Sequence, residues 1–575
     1  MTATAFSFDD MAALAGAIGD FDAGKAAFTA GDMAEAARQF GLCAALDPND
    51  HEARYWLFSA LSAAGQTDAA DAALFDARNL HALAVIREVG GDMARFTSDP
   101  DYCAQFGLKL FEHKLMASAS VSIARGLDLE NLNPQLLVAY GLSLQHQRRI
   151  DEAINVFAAG GEALGSARLH ESLLYLLFHV PDRAQRLLAE SQAWADRYMP
   201  GHRNPALKFT NPPLVGRRLR IGYVGPDLTH GVVSGFLLPV LEAHDPASVE
   251  VFAYSNNLAS EQAFPAHCNA RDLAGLSDDQ AAALIRADGV DVLIDVWGHN
   301  ANGRLGVFAH RPAPVQAAWI NFVQTTGLSC IDYVLHADCM DVPGTAEAFI
   351  EEVWSIGEIM APYRPSPDRL DPVATPALKN GHVTFGSFNN PAKLSDETIA
   401  AWGRILAADA SHRLVLKYVF YRDPVLQRVT QARLAAHGAL PEQIEFRTHS
   451  SGLEYLAEFR DIDLALDPSP CPGGTTTCDA MANGVPVLTL DAGDFYTRIG
   501  VSVVLPCGLP ELVAESWDDY VARALSLTAD LDGLNALRAR VRPSFDASAY
   551  RDEAGFARQL EGEFRKMFDR WTATT

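Results

Sequence analysis

The first third of the chain repeats itself with a period of 34 residues, and this periodicity limits the possible folds more than any other feature of the sequence. Gly31 recurs as Gly65, and Met116 recurs as Ile150, each pair 34 positions apart in a segment rich in alanine. Small residues let two antiparallel helices approach closely. Because a repeat of this length forms one helical hairpin that stacks on its neighbours, we predict an array of helix pairs over about residues 20–190.

Thirty-four residues is the period of tetratricopeptide repeats, and we assign residues 1–200 to a tetratricopeptide-like helical domain. Such arrays commonly present a concave surface to a protein partner. A spacer or a dimerisation element would show the same periodicity, so both interpretations stay open, with partner docking favoured. No ladder of aromatic or asparagine side chains marks a groove, and we therefore predict no groove residues.

Beyond residue 200 the pattern changes to short apolar segments that alternate with helices. A proline-rich linker over 200–215 precedes the first series, and a second linker over 363–381 separates it from the next. The predicted strands are 218–225, 249–255, 290–298, 315–322, 382–388, 413–419, 443–448, 461–467 and 485–490. Alternating strands and helices form parallel sheets that bind ligands at the carboxyl ends of their strands. We therefore predict an α + α/β chain with two Rossmann-like domains, residues 201–375 and 376–575.

The charge and the cysteines exclude several functions. The 575 residues include 46 Lys and Arg against 72 Asp and Glu, and the net charge of −26 disfavours nucleic-acid and membrane partners. The start lacks the features of a signal peptide, and no run of about 18 apolar residues occurs, so we predict a cytoplasmic protein. The eight cysteines show no zinc spacing, and we expect neither a metal nor another cofactor.

The loop after the predicted strand 461–467 contains the strongest chemical signal. At the start of a predicted helix it places five residues that can offer backbone N–H groups or hydroxyls to phosphate: Gly473, Gly474, Thr475, Thr476 and Thr477. We predict a diphosphate cradle, with Asp479 one turn further on accepting hydrogen bonds from ribose hydroxyls. A merely capped helix start is the alternative. The loop matches neither the P-loop nor the dinucleotide fingerprint.

Several segments resemble the protein O-GlcNAc transferase and SPINDLY family, glycosyltransferase family 41. They follow the family order over about 215–530 and include LRIGYVGPDLTHGVVSGFL, DVLIDVWGHNANGRLGVFAHRPAPVQAAW, TFGSFNNPAKLSDETIAAWGRIL and DIDLALDPSPCPGGTTTCDAMANGVPVLTL. The preceding repeats also fit this family. The resemblance implies a GT-B fold, a nucleotide-sugar donor held mainly by the C-terminal half, inverting transfer without a metal, and a protein acceptor guided by the repeats.

The resemblance also assigns roles to individual residues. Lys393 matches the family lysine in the stretch F-N-x-x-x-K and is predicted to neutralise the phosphate charge that grows as the glycosidic bond breaks. Asn390 matches a neighbouring amide that contacts the nucleotide. Thr475, Thr476 and Asp479 align with the pyrophosphate and ribose ligands of the family.

One departure from the family pattern concerns the general base. The family has a histidine in D-x-x-x-H-x-x-[SA], whereas D-L-T-H-G-V-V-S places His230 one position early and Gly231 at the usual place. His230 stays the first candidate and Asp227 the substitute. A reaction that needs little help with deprotonation of the acceptor is the third possibility.

Two further departures concern the donor. Tyr455 replaces the family histidine that stacks on uracil, and the bulkier Asn321, Val323 and Gln324 replace Gly, Pro and Gly near the expected sugar pocket. These changes suggest a donor other than UDP-GlcNAc. A CMP-linked nonulosonic acid such as pseudaminic acid, with flagellin as the acceptor, competes with a neutral hexose or deoxyhexose carried by UDP or GDP.

Two second-tier residues complete the predicted site. His299 matches a family position after a strand and faces the acceptor in one interpretation, or caps the next helix in the other. Arg498 aligns with a family arginine near the donor helix, and a surface ion pair is its alternative role.

We weigh three functions on this basis. The leading one is transfer of a sugar from a nucleotide donor to Ser or Thr hydroxyls of a protein recruited by the repeats. A non-catalytic scaffold is the alternative, which the displaced His230 favours and the retained Lys393 opposes. An N-linked transferase is the third.

Overall fold

A computed structural model describes residues 20–127, 132–181, 183–203, 208–258 and 264–574. The chain divides into two compact units. The first, here called the repeat unit, comprises Met1–Ala153 and Asn390–His449, and the second, the sheet unit, comprises Ile154–Asn389 and Ser450–Thr575. The domain boundaries predicted near residues 200 and 375 stay predictions.

The N-terminal region is helical, as the 34-residue period predicts. Its helices are α1 (Phe21–Thr29), α2 (Met33–Leu46), α3 (His51–Ala63), α4 (Thr67–Glu88), α5 (Met93–Ser98), α6 (Pro100–Glu112), α7 (Met116–Gly126), α8 (Pro134–Gln145), α9 (Ile150–Leu164), α10 (Ala167–Leu177) and α11 (Ala184–Tyr198). Small residues allow the close approach that the sequence predicts, because a Cβ on Gly126 of α7 would overlap the backbone of Ala104 in α6.

Helices α2, α4, α7 and α9 each follow a turn with a left-handed residue two positions before the helix begins. These residues are Gly31 (φ 82°), Gly65 (φ 73°), Lys114 (φ 66°) and Arg148 (φ 60°). Glycine adopts this conformation freely, whereas a residue with a Cβ loses about 1 kcal/mol. The later two turns therefore hold a lysine and an arginine at a position that favours glycine.

Helices and strands alternate in the rest of the chain. The strands are β1 (Leu219–Gly225), β2 (Val249–Ser255), β3 (Cys268–Asp272), β4 (Val292–Asp295), β5 (Val315–Ala318), β6 (Tyr333–His336), β7 (Glu352–Ser355), β8 (Thr384–Ser387), β9 (Arg413–Lys417), β10 (Ile444–Arg447), β11 (Leu464–Leu466), β12 (Val487–Leu490) and β13 (Val513–Ala514). The helices are α12 (Gly231–Ala243), α13 (Asp278–Asp288), α14 (Leu305–Ala309), α15 (Ala377–Asn380), α16 (Asp396–Ala407), α17 (Pro424–Ala435), α18 (Gly452–Glu458), α19 (Thr475–Ala482), α20 (Ile499–Val504), α21 (Trp517–Ala529), α22 (Leu531–Ala547) and α23 (Glu553–Thr574).

Both series of strands are parallel. In the sheet unit the first series forms one sheet in the order β3-β2-β1-β4-β5-β6-β7, which is a doubly wound arrangement that reverses direction between β1 and β4. In the same unit β8, β11, β12 and β13 pair in that order, and in the repeat unit β9 pairs with β10. The predicted fold class, a helical region followed by two Rossmann-like domains, is confirmed.

The repeat unit contains its own interface between the repeats and the later part of the chain. Helix α17 packs Val425 and Val429 against a buried cluster that includes Tyr55 and Phe58 of α3. The Ser118 N–H at the start of α7 also donates to Asp423 at 3.0 Å. One face of the helical array is therefore covered by the same chain. In the described part of the chain no helix combines the length and the apolar character needed to cross a bilayer.

Candidate active site

A buried carboxylate shapes the loop between β11 and α19. Asp467, which is 1% exposed, accepts a hydrogen bond from the Gly473 N–H at 2.7 Å and a second from the Thr489 hydroxyl at 3.0 Å. A Cβ on Gly473 would overlap the hydroxyl of Thr476, so only glycine fits where the loop turns into the helix. The chain's own contacts thus hold this loop at the carboxyl edge of a parallel strand, where such sheets bind ligands.

Two of the three threonine hydroxyls in this loop have protein partners. Thr477 donates to the carbonyl oxygen of Gly473 at 3.0 Å, and Thr476 donates to Oδ1 of Asn389 at 3.1 Å. Asn389 is buried and lies two residues after the end of β8, so its amide joins two neighbouring strand ends. These bonds set the shape of the loop, and both hydroxyls are engaged with protein oxygens rather than turned to a ligand.

The part of the loop that can meet a ligand is the first turn of α19. Gly474 is its N-cap residue and provides no side-chain hydrogen bond to the first N–H groups. The Thr475 hydroxyl beside them is buried and has no hydrogen-bond partner among the described residues. An uncapped helix N-terminus with an unpartnered hydroxyl suits an anionic oxygen, because both offer hydrogens and the helix dipole favours negative charge.

Asp479 lies further along α19 and is held by two tyrosines. The Tyr363 hydroxyl donates to Oδ1 at 2.6 Å, and the Tyr455 hydroxyl donates to Oδ2 at 3.0 Å. Burial raises the pKa of the Asp479 carboxyl, and the two tyrosine hydrogen bonds act in the opposite direction. Each carboxylate oxygen keeps a lone pair for a further donor such as a ribose hydroxyl. The Tyr455 ring, at the position of the family histidine that stacks on uracil, packs edge-on against Phe459 at 5.3 Å between centroids.

Sequence reasoning missed two residues of this group, Tyr363 and Asn389. Asn389 adjoins the predicted Asn390 in the stretch F-N-N, and this doubling of the amide was the available signal. Tyr363 lies in the proline-rich stretch 363–381, which reads as a linker and offers no periodic signal. Its bond to Asp479 joins residues 116 positions apart, so only the fold brings the two together.

Asn390 and Lys393 belong to the repeat unit. Asn390 caps a short 3-10 turn, Pro391–Lys393, through a hydrogen bond from the Ala392 N–H to its Oδ1 at 3.0 Å. The Lys393 N–H donates to the Asn390 carbonyl oxygen at 2.9 Å. The backbone that carries the lysine is therefore ordered by the asparagine three residues before it.

Asp227 and His230 lie together in the loop after β1. Oδ1 of Asp227 accepts hydrogen bonds from the backbone N–H groups of Thr229 at 3.2 Å and of His230 at 3.0 Å. The same oxygen lies 3.4 Å from Nδ1 of His230, whose side chain is 42% exposed at the start of α12. Gly231, with φ at 72°, follows in a left-handed conformation. The two candidate bases thus form a solvated pair.

His299 and Arg498 have other partners in the sheet unit. His299 is 2% exposed, shares a hydrogen bond of 2.9 Å with the carbonyl of Thr326, and packs against Trp194. Burial lowers its pKa to about 3, so the imidazole is neutral. Arg498 donates to the carbonyl of Cys339 at 2.7 Å and pairs with Asp491. Arg498 thus forms an ion pair, as its alternative role predicts. Neither His299 nor Arg498 contacts the α19 loop through a described hydrogen bond.

The loop after β5 contains the third departure from the family pattern. Ile320 adopts a φ of 78°, which is costly for a β-branched residue. Gln324 is 1% exposed, and neither polar atom of its amide has a hydrogen-bond partner among the described residues. Because buried amides are nearly always paired, a water or a polar ligand is expected to meet this group.

The chain contains two Rossmann-like parallel sheets, and an uncapped helix begins at the carboxyl edge of one strand. This is the organisation of a GT-B glycosyltransferase. The family model "Glycosyl transferase family 41" matches residues 147–356 and 373–560, more than half of the sequence. The chain therefore belongs to glycosyltransferase family 41. Tyr363 lies between the two matched segments.

Proteins similar in sequence include several from plants. The probable UDP-N-acetylglucosamine–peptide N-acetylglucosaminyltransferase SPINDLY of Oryza sativa subsp. japonica is 35% identical over 374 residues, which cover 63% of this chain and 40% of that protein. Its counterpart of the same name in Petunia hybrida is 36% identical over 369 residues, 62% of this chain and 39% of that protein. The chain thus spans about two fifths of the length of the curated relatives that it matches.

A solved structure supports the fold over nearly the whole length. A lysine-to-methionine mutant of the Thermobaculum terrenum O-GlcNAc transferase is 27% identical and superposes with a TM-score of 0.74, covering 99% of this chain and 100% of that one. The helical N-terminal region and the GT-B fold are therefore confirmed together.

Proposed function

We propose that this protein is an inverting glycosyltransferase that moves a sugar from a nucleotide-sugar donor to Ser or Thr hydroxyls of a protein acceptor. Its family membership supports this function, and so do the names of its relatives, which describe transfer of N-acetylglucosamine to peptide. The observation that carries the proposal is the α19 loop. It offers an uncapped helix N-terminus and the Thr475 hydroxyl to a diphosphate, with Asp479 one turn further on to receive a ribose.

The proposed reaction exchanges one bond for another at the anomeric carbon. The acceptor oxygen forms a bond to this carbon as the bond to the donor phosphate breaks, and the nucleotide, a diphosphate for UDP- or GDP-sugars and a monophosphate for CMP-sugars, leaves with the electron pair. The acceptor proton passes to His230 or Asp227, the paired candidates after β1. Lys393 is proposed to stabilise the charge that grows on the phosphate, the role that the family resemblance implies for it, and one such group contributes roughly 3 kcal/mol in typical sites. No metal is needed in this scheme.

The donor that the relatives' names favour is UDP-GlcNAc. Two observations favour a different nucleotide sugar as the second candidate. The Tyr455 hydroxyl donates a hydrogen bond to Asp479, which fixes the Tyr455 ring. The histidine found at this position in the family would not contact Asp479 in the same way. The unpaired amide of Gln324 also supplies a buried donor and acceptor for a polar substituent. CMP-nonulosonic acids and UDP- or GDP-linked hexoses and deoxyhexoses belong in the same test.

The acceptor is proposed to dock on the repeats. Because α17 covers the face formed around Tyr55 and Phe58, docking involves another part of the array. Flagellin as the acceptor and a cytoplasmic location stay predictions from the sequence.

The first experiment titrates the purified protein with UDP, CMP and GDP in a calorimeter, and then measures donor hydrolysis and transfer with the matching sugars. We expect one nucleoside diphosphate or monophosphate to bind and its sugar to be turned over. Lys393→Ala should lower turnover by about 100-fold or more. The matched control is Lys379→Ala, which changes an exposed lysine at the end of α15 and should leave turnover unchanged. Nucleotide binding without turnover of any donor would favour the scaffold, and full activity of Lys393→Ala would refute the assigned role.

A further inference from the structure

The turn between α8 and α9 contacts the short segment that carries Lys393, and both lie in the repeat unit. Nη1 of Arg148 donates to the carbonyl oxygen of Ala392 at 3.1 Å. The Asn390 side chain acts to raise the pKa of the His146 imidazole, against the larger effect of burial. The turn between α8 and α9 therefore holds the residue directly before Lys393.

The turn itself is rigidly placed. Nε2 of Gln147 donates to the Ser120 hydroxyl at 2.9 Å and to the Ser143 carbonyl at 2.8 Å. The His146 ring is buried 4.1 Å from the ring of Phe420, between centroids, and burial lowers its pKa to about 3. A neutral, packed imidazole and a doubly bonded amide give the turn few alternative positions.

Arg148 occupies a backbone conformation that suits glycine better. Its φ is 60°, and the equivalent residues of the first two repeats are Gly31 and Gly65. The left-handed conformation costs a residue with a Cβ about 1 kcal/mol. The bond from the guanidinium to Ala392 gives a physical reason for an arginine at this position, since glycine would relieve the strain and lose the contact. The family model match begins at residue 147, so this turn is part of the matched region.

We infer that Arg148 is a positioning residue for Lys393, acting through its hydrogen bond to Ala392. The turn between α8 and α9 thus sets the place of Lys393, the cation to which the proposed function assigns stabilisation of the leaving phosphate. This inference rests on the proposed function, in which Lys393 has that role. A displacement of about 1 Å in such a group can cost on the order of 100-fold in rate.

The test compares two glycine substitutions at equivalent turn positions. Arg148→Gly removes the guanidinium and also relieves the backbone strain, so we expect an unchanged or higher Tm together with a kcat lowered by about tenfold or more. The donor KM should stay within about twofold, because the lost effect lies in the transition state. Lys114→Gly relieves the same strain at an exposed residue of the preceding repeat and should leave kcat unchanged. Arg148→Lys keeps a cationic donor and should restore part of the rate.

A second measurement does not depend on turnover. Hydrogen exchange at the amides of Ala392, Lys393 and Leu394 should be faster in Arg148→Gly than in the wild type, and unchanged in Lys114→Gly. Wild-type kcat and exchange in Arg148→Gly would overturn the inference, and so would a fall in Tm that accounts for the lost activity. If the Arg148 inference fails in this way but Lys393→Ala is inactive, the proposed function still stands. If Lys393→Ala is fully active, the proposed function fails and the exchange data still decide whether Arg148 orders this segment.

Discussion

The loops after β1 and β11 share a design and differ in burial. Each follows a parallel strand of the sheet unit, and each contains an aspartate that accepts backbone N–H groups of its own loop. Asp467 is 1% exposed and also bonds Thr489, whereas the Asp227 side chain is 26% exposed and lies 3.4 Å from a solvated His230. A phosphate site gains from N–H groups fixed in advance. A base must instead exchange partners as it takes up a proton, and a solvated loop allows this.

The largest difference between the loops should appear when each aspartate is removed. We expect Asp467→Ala to lower the free energy of unfolding by about 3 kcal/mol, because it leaves a buried N–H and a buried hydroxyl without their acceptor. Asp227→Ala should cost about 1 kcal/mol, as for other exposed caps. Urea unfolding, followed by circular dichroism, measures both. Equal losses would show that burial does not separate the two loops.

Adding one methyl group to a glycine of each loop should give the next largest difference. Gly473→Ala forces a Cβ against the Thr476 and Thr477 hydroxyls, so we expect a loss of about 2 kcal/mol and at least tenfold weaker nucleotide binding. Gly231→Ala meets no atom within 4 Å and should cost about 1 kcal/mol from its left-handed φ alone. Thermal unfolding and calorimetric titration with the nucleotide test both. Normal binding by Gly473→Ala would remove the loop from the proposed donor site.

Removal of the Tyr455 hydroxyl should have a smaller effect on stability, of about 1 kcal/mol, and a clear effect on pH dependence. The Tyr455 hydrogen bond lowers the pKa of Asp479 against the effect of burial, so Tyr455→Phe raises this pKa further. Asp479 accepts ribose hydroxyls best as a carboxylate, and nucleotide binding is lost as the pH falls through its pKa. The acid limb of binding should therefore move to higher pH in the variant.

Tyr496→Phe is the control for this shift. The Tyr496 hydroxyl is buried without a hydrogen-bond partner among the described residues, and its loss should leave the binding profile in place. The role of Tyr455 would be contradicted if the acid limb of nucleotide binding shifted equally in both variants, or if it did not shift in Tyr455→Phe.

The smallest effect on stability is expected at His230. His230→Ala changes a side chain that is 42% exposed, and the free energy of unfolding should stay within about 0.5 kcal/mol of the wild type. Transfer should fall by about 100-fold if this histidine takes the acceptor proton. His310→Ala removes a histidine of equal exposure and should leave transfer unchanged. Full activity of His230→Ala would move the assignment to Asp227.

Local patterns in the sequence predicted most of the architecture. The 34-residue period identified helix pairs whose second members begin at Met33 and Thr67, and at Met116 and Ile150. Alternating apolar segments located β1, β2, β9 and β12. Strands β3, β6, β7 and β13 were missed because they contain only two to five residues, and β6 alone among them has three consecutive apolar residues. The segments 290–298 and 315–322 were predicted too long, since the chain leaves the sheet after Asp295 and Ala318 to form loops.

The sequence alone was sufficient for the helical array, the parallel sheets, and the glycine–threonine loop at the start of α19, since each depends on neighbouring residues in the chain. The tertiary structure decided which residues the candidate site residues contact. Tyr363 reaches Asp479 across 116 positions, Thr476 reaches Asn389 across 87, and Arg148 reaches Ala392 across 244. No local period encodes these pairs, because their geometry exists only when packing of the buried core has brought distant segments together.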